Sequence, residues 1–118
     1  MAMNILLVDD DEESAGMLAG LLRREGYDVD GCANAALALV RLGATSYDVI
    51  LTDQSMPGMK GSELVVAARL LQADLRCIIA TGLNPPEESL RGRTIWITKP
   101  LDIDELIALL GPASATAA

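Results

Sequence analysis

The side chains best suited to chemistry in this chain are carboxylates, one hydroxyl and one amine. Asp9, Asp10 and Asp11 stand in a row; Asp53, Thr81 and Lys99 follow singly, the last just before Pro100. Carboxylates drawn into one place repel one another and raise one another's pKa values. A hard divalent cation resolves that conflict, because Mg2+ takes oxygen ligands octahedrally, uses few carboxylates and keeps several waters. A phosphate beside it can replace one of those waters, and the hydroxyl of Thr81 and the ammonium of Lys99 can meet the remaining phosphoryl oxygens. Phosphoryl transfer needs in-line placement and charge neutralisation more than covalent help. With Asp53 as the nucleophile, the product is an acyl phosphate.

Such a set works only if the chain gathers it, and alternating β and α signals provide the means. Residues 4–8, continuously apolar from Ile5 to Val8, are as expected of a strand covered on both faces. Residues 12–25 carry Met17, Leu18, Leu21 and Leu22 at helical spacing, with Gly26 as the stop. Residues 27–32 read as a weaker edge strand, and Asn34 caps a helix over 35–42 closed by Gly43. The third strand, 47–52, ends at Asp53; a turn-rich loop from Ser55 to Gly61 leads to a helix over 62–72. The fourth strand, 77–80, ends at Thr81 and Gly82, and the fifth, 94–98, ends at Lys99 and Pro100. Asp102 opens a last helix through Leu110, which Gly111 and Pro112 stop.

Pro85 and Pro86 break the rhythm of residues 83–93, which are expected to hold one or two helical turns at most. One domain over 1–118 is expected, with its core over about 4–111 and a frayed tail at 112–118. Strands separated by helices make an α/β fold, a parallel sheet with helices on both faces. Ligands of such sheets bind at the carboxyl ends of the strands, where Asp9, Asp53, Thr81 and Lys99 all lie.

Bulk composition excludes several classes. The 118 residues are 51% hydrophobic and carry a formal charge of −8, which fits a packed domain and argues against direct nucleic-acid binding. Cys32 and Cys77 are too few for a disulfide framework or a zinc site and read as buried, reduced thiols. Histidine is absent, so the chain has no imidazole base or phosphodonor of its own. No stretch approaches the roughly 18 apolar residues of a membrane span, and the first apolar run stops at Asp9 unlike a signal peptide. The expected compartment is the cytoplasm, without a membrane partner.

The ordered pieces Leu7, Val8, Asp9 and Asp10, then Asp53 with Met56, Pro57, Gly58 and Gly61, then Thr81 and Gly82, then Lys99 and Pro100, resemble the receiver domains of two-component response regulators. The resemblance covers residues 5–110. It implies a flavodoxin-like, doubly wound sheet of five parallel strands in the order 2-1-3-4-5, here with a short or irregular helix between the fourth and fifth strands. It implies Asp53 as phosphoacceptor, Mg2+ held by Asp9, Asp10, Asp53 and the backbone carbonyl of Ser55, Thr81 as switch hydroxyl and Lys99 as phosphate contact. It also implies a cis peptide before Pro100. The implied donor is a histidine kinase or a histidine phosphotransfer protein, the downstream effector is unspecified, and a homodimer is allowed. In the shortened segment after Thr81 and the stretch from Leu51 to Gly58, the chain looks like receivers attached to sensor histidine kinases. Trp96 stands where the family usually carries Tyr or Phe. Ser55 and Leu83 stand where receivers tune hydrolysis of the phosphate, and neither is an acid.

Plainer readings compete at several positions. Asp11 is best explained as a helix cap, and Trp96 as packing rather than switching. Tyr27 and Tyr47 are expected to start strands with hydroxyls in solvent, and Glu12, Glu13, Glu63, Arg23 and Arg24 to lie on solvated faces. A phosphatase resembling the haloacid dehalogenases would need a second carboxylate two residues after the nucleophile, where Ser55 stands. The chain is therefore read as a signalling receiver that catalyses only its own phosphorylation and dephosphorylation, not as an enzyme. The alternative is a degenerate receiver acting as a constitutive protein-binding module.

Overall fold

The computed structural model describes residues 2–83 and 94–113. The strands are β1 (Asn4–Val8), β2 (Asp28–Cys32), β3 (Val49–Asp53), β4 (Arg76–Thr81) and β5 (Thr94–Thr98), largely apolar except β2, where Asp28, Asp30 and Gly31 interrupt Val29 and Cys32. Helices α1 (Glu12–Arg24), α2 (Ala35–Ala44), α3 (Gly61–Leu71) and α4 (Ile103–Leu110) lie between and after them. All strand pairs are parallel, in the order β2-β1-β3-β4-β5. The sheet is the flavodoxin-like one, with β2 at an edge. Most of the expected helix between β4 and β5 falls on residues 84–93, outside the described residues.

Strand periodicity sorts the core into two layers. Leu6, Val8, Ile50, Cys77 and Ile79 point to the side covered by α2 and α3, through Ala38, Leu42, Leu64, Val65 and Ala68. Ile5, Leu7, Val49, Leu51, Ile78 and Ala80 point to the other side, under Ala19 and Leu22 of α1 and Leu106 and Leu110 of α4. Both faces of the sheet are thus dry, which is why β1 and β4 read as unbroken apolar runs. Cys32 and Cys77 are buried free thiols.

Capping follows the sequence closely at three helix starts. The Asp11 carboxylate accepts from the amides of Glu13 and Ser14, Asn34 from Leu37, and Asp102 from Asp104 and Glu105. At α3 the amide of Lys60 donates to Glu63 Oε1 at 3.0 Å, so Glu63 is tied down rather than merely solvated.

The structure corrects several expectations. Gly43 does not close α2, which runs to Ala44 and ends where the Thr45 amide bonds to the Arg41 carbonyl. A glycine near a helix end costs about 1 kcal/mol, less than the packing of Ala38 and Leu42 returns. At the start of the expected tail the amide of Met3 donates to the Ala113 carbonyl; residues 114–118 lie outside the described residues. Arg23 reaches back to the Val29 carbonyl at 2.7 Å instead of standing free. Both tyrosines are buried, Tyr27 bonded to the Gly111 carbonyl and Tyr47 to Asp30 Oδ2 at 2.6 Å. A ring at a strand start fills the end of the core layer, and its hydroxyl then needs a partner inside the protein.

Tyr47 makes the fold sensitive to alkali. Burial, with the Asp30 carboxylate beside the hydroxyl, pushes the phenol up to about 12, above the value of about 10 in an unfolded chain. The folded state therefore holds the proton longer, so this stabilisation is complete below about pH 10 and is lost as pH rises toward 12. Urea midpoints measured from pH 9 to 12 are expected to fall steeply in the upper part of that range and less steeply in Tyr47→Phe. Equal slopes in the two proteins would refute the assignment.

Candidate functional site

Register alone gathers the site. Val8 pairs with Thr52, so Asp9 lies beside Asp53 one step beyond the ladder. Asp53 pairs with Ala80, which places Thr81 one residue further out, and Thr81 pairs with Thr98, which places Lys99 one further again. Four strands thus deliver two carboxylates, a hydroxyl and an ammonium to one rim, beside the point where the chain leaves β1 and β3 for opposite sides of the sheet. Asp10, next after Asp9, completes the set.

Lys99 Nζ stands 2.9 Å from Asp53 Oδ1, with the Asp53 side chain only 10% exposed and that of Lys99 38%. Asp53 is thus largely covered, with the lysine at its side. Carboxylate oxygens of Asp9, Asp10 and Asp53 lie within 4.8 Å of one another. Burial pushes the Asp9 carboxyl above its ordinary value; the Asp11 amide, which donates to its Oδ1 at 3.0 Å, opposes this, and the charges of Asp53 and Asp10 add to it. Among the described residues Lys99, against Asp53, offsets part of the repulsion among the three carboxylates.

Thr81 is buried, and its Oγ1 accepts from the amide of Leu83 at 3.1 Å, which leaves the hydroxyl proton free to donate. The Lys99 amide donates to the Thr81 carbonyl at 2.8 Å, tying β5 to β4 at the rim. The Lys99–Pro100 peptide is cis. Gly82 is exposed, and a methyl group there would meet nothing within 4 Å. Ser55 is exposed, on the loop that leaves β3. Trp96 is half-buried and packs against the α2 and α3 side of the core, away from the carboxylates' own layer.

One support of the site, Gln54, carries no signature in its residue type, while Gly61, already part of the receiver-like motif, shows its steric reason here. Gln54 is bonded through its amide, carbonyl and side chain, to Ala80, Gly61 and Ser62. A methyl group on Gly61 would lie 2.4 Å from the Asp53 carbonyl oxygen, so the start of α3 presses directly on the peptide that carries Asp53.

Comparison with known proteins agrees with this geometry. The family model described as response regulator receiver domain matches residues 5–111. The response regulator receiver protein CpdR of Brucella abortus is 33% identical over 108 residues, covering 87% of this chain and 89% of that protein. Other curated relatives are longer, and the chain spans 29% and 51% of two of them. A solved response regulator from Burkholderia pseudomallei, with a phosphorylated aspartic acid, calcium ion and citrate, superposes with a TM-score of 0.82 at 30% identity over 92% of this chain and 66% of that one. The response regulator TrrA of Thermotoga maritima, in complex with Mg2+ and BeF, gives 0.80 at 28% identity over 92% and 96%. Among the described residues no helix is long and apolar enough to cross a membrane.

Proposed function

The chain belongs to the response regulator receiver domain family, and from that premise we propose that Asp53 is the carboxylate that takes the phosphoryl group. The observation that carries the assignment is the placement of Asp53 Oδ1 2.9 Å from Lys99 Nζ with the carboxylates of Asp9 and Asp10 alongside. An Asp53 oxygen attacks the phosphorus of the donor, the bond from phosphorus to the donor atom breaks, and its electron pair leaves with the donor. Lys99 neutralises charge on the phosphoryl oxygens, and the free proton of Thr81 donates to one of them.

The donor set fits Mg2+. Oxygens on opposite sides of that ion are about 4.2 Å apart, from bonds of about 2.1 Å, so the 4.8 Å span of the three carboxylates closes with small side-chain movements. Asp9, Asp10 and Asp53, with the Ser55 carbonyl, are the groups we assign to it. The ion, when bound, offsets the carboxylates' repulsion and the charge of an incoming phosphoryl group. Metal-bound relatives support this, TrrA with Mg2+ and BeF and the Burkholderia protein with calcium and a phosphorylated aspartic acid.

The donor is a histidine kinase or a histidine phosphotransfer protein, since the chain lacks histidine and its family takes phosphate from such partners. The chain acts in the cytoplasm as one receiver unit, a switch on other proteins rather than an enzyme that turns over a substrate. Trp96 contributes packing rather than switching. A constitutive, phosphate-free role draws no support from a site in which Asp9, Asp10, Asp53 and Lys99 stand together.

Incubation with acetyl phosphate and Mg2+ tests the reading by intact mass. One phosphoryl group is expected per chain, and excess EDTA is expected to suppress it by at least about tenfold, in line with the metal's share of the charge stabilisation. Uptake that is indifferent to EDTA would overturn the metal assignment. No uptake with Mg2+ bound would overturn the acceptor assignment for small donors.

A further inference from the structure

We infer that Gln54 is a positioning residue for the metal site, acting through Ser62 to fix the backbone around Ser55; the inference rests on the proposed Mg2+ site and names a part of it that lies outside the ligand set. The Ser62 amide donates to Gln54 Oε1 at 2.7 Å, and Gln54 Nε2 donates to Ser62 Oγ at 3.1 Å. Only this orientation of the side-chain amide satisfies both contacts, since a backbone N–H needs an oxygen to receive it. The main chain adds two more bonds. The Gln54 amide donates to the Ala80 carbonyl at 2.9 Å, and the Gly61 amide donates to the Gln54 carbonyl at 3.1 Å.

The loop over 55–60 therefore leaves from Gln54 and returns to it. Its first residue, Ser55, is exposed, but each neighbour is anchored. Behind it stands Gln54, held by its main chain and its side chain, and ahead of it Met56 is buried, with Thr52 Oγ1 3.9 Å from its sulfur. The direction of the Ser55 carbonyl depends on the two peptide planes between those anchors. A carbonyl that must aim at a cation gains from being held before the cation arrives, and partners behind ligands commonly change metal affinity by 10–100-fold.

The side-chain pair also joins the metal loop to the first turn of α3. Ser62 is the second residue of that helix, and its amide is among the donors a helix start leaves without an internal partner. Gln54 satisfies that donor from outside the helix. A carboxylate or hydroxyl at the helix's own cap is the ordinary solution, but here the cap position is Lys60, whose side chain cannot accept a hydrogen bond. The ordering of α3 and that of the metal loop are thereby one event.

Mg2+ titration by calorimetry on the full chain, with Mg2+ alone as the probe, tests this. Gln54→Met keeps the volume and removes both side-chain bonds; its dissociation constant is expected to rise about tenfold. Ser62→Ala, which keeps the backbone bond to Oε1, is expected to lose about threefold, and Ser62→Thr to bind as the wild type does. In the metal-free protein, amide hydrogen exchange at Ser62 is expected to accelerate in Gln54→Met, while the buried strand amides of β1 keep their protection. Wild-type affinity in Gln54→Met, with faster Ser62 exchange, would show a brace without influence on the metal and overturn the inference. Unchanged exchange would overturn the brace itself. Absence of Mg2+ binding in the wild type would instead remove the underlying site assignment.

Discussion

Asp53→Asn is expected to abolish phosphoryl uptake while leaving the fold intact. The two side chains share a shape, so the contact with Lys99 Nζ, 2.9 Å from Oδ1 in the native protein, survives as a hydrogen bond to the amide oxygen. Nucleophilicity does not survive. A carboxylate oxygen carries a full share of negative charge to phosphorus, whereas an amide oxygen is neutral and its product would be a high-energy imidate. A second effect follows from charge. The Asp53 carboxylate is one cause of the raised Asp9 pKa, so its removal lets the Asp9 carboxyl return toward its ordinary value. Fewer anions also hold a cation less well, and Mg2+ affinity is expected to fall by about tenfold or more. Intact mass after acetyl phosphate treatment gives the first result and calorimetry the second. Uptake at the wild-type level would place the acceptor on another residue, which peptide mass mapping would then locate.

How much of this was legible beforehand differs between the sheet and the site's supports. The strands were legible because burial on both faces writes an unbroken apolar run, as in residues 5–8 and 77–80, and because an acid, hydroxyl or lysine marks the end of four of them. Positions of Asp9, Asp53, Thr81 and Lys99 followed from strand register, which parallel pairing carries over from one strand to the next. The tyrosines were less legible. Tyr47 adjoins Asp48, and nothing local says that its ring turns inward to meet Asp30 from a strand that precedes it by a whole helix. Arg76 is similar, since its guanidinium donates to the carbonyls of Leu109 and Leu110 at the end of α4. That contact depends on where the last helix docks, a property of the whole fold. Gln54 was invisible for a different reason. Its residue type carries no chemical signature, and its role comes from a loop that folds back on itself to bring Ser62 within reach.

Gly61→Ala is expected to destabilise the protein by about 3 kcal/mol, a change out of proportion to one methyl group. The reason is the direction of the missing Cβ. It would point at the Asp53 carbonyl, 2.4 Å from the oxygen and 3.1 Å from both its carbon and the Cα of Gln54. All three atoms are backbone, fixed by the β3–β4 ladder and by the Gln54 amide bonded to Ala80 at 2.9 Å. No side-chain rotation can make room, so α3 itself has to move away from β3. That shift breaks the bond from the Gly61 amide to the Gln54 carbonyl and strains the contact between Ser62 and Gln54. It also loosens Leu64 and Val65, which are buried against the sheet from the next turn of the same helix. Alanine is otherwise the better helix former by about 1 kcal/mol, so intrinsic propensity alone predicts the opposite sign. Thermal melts decide between the two effects: the steric argument requires a midpoint lower by roughly 10–15 °C, and a raised midpoint would mean that α3 yields at little cost. The same displacement carries the loop over 55–60 with it, so Mg2+ affinity should fall together with stability.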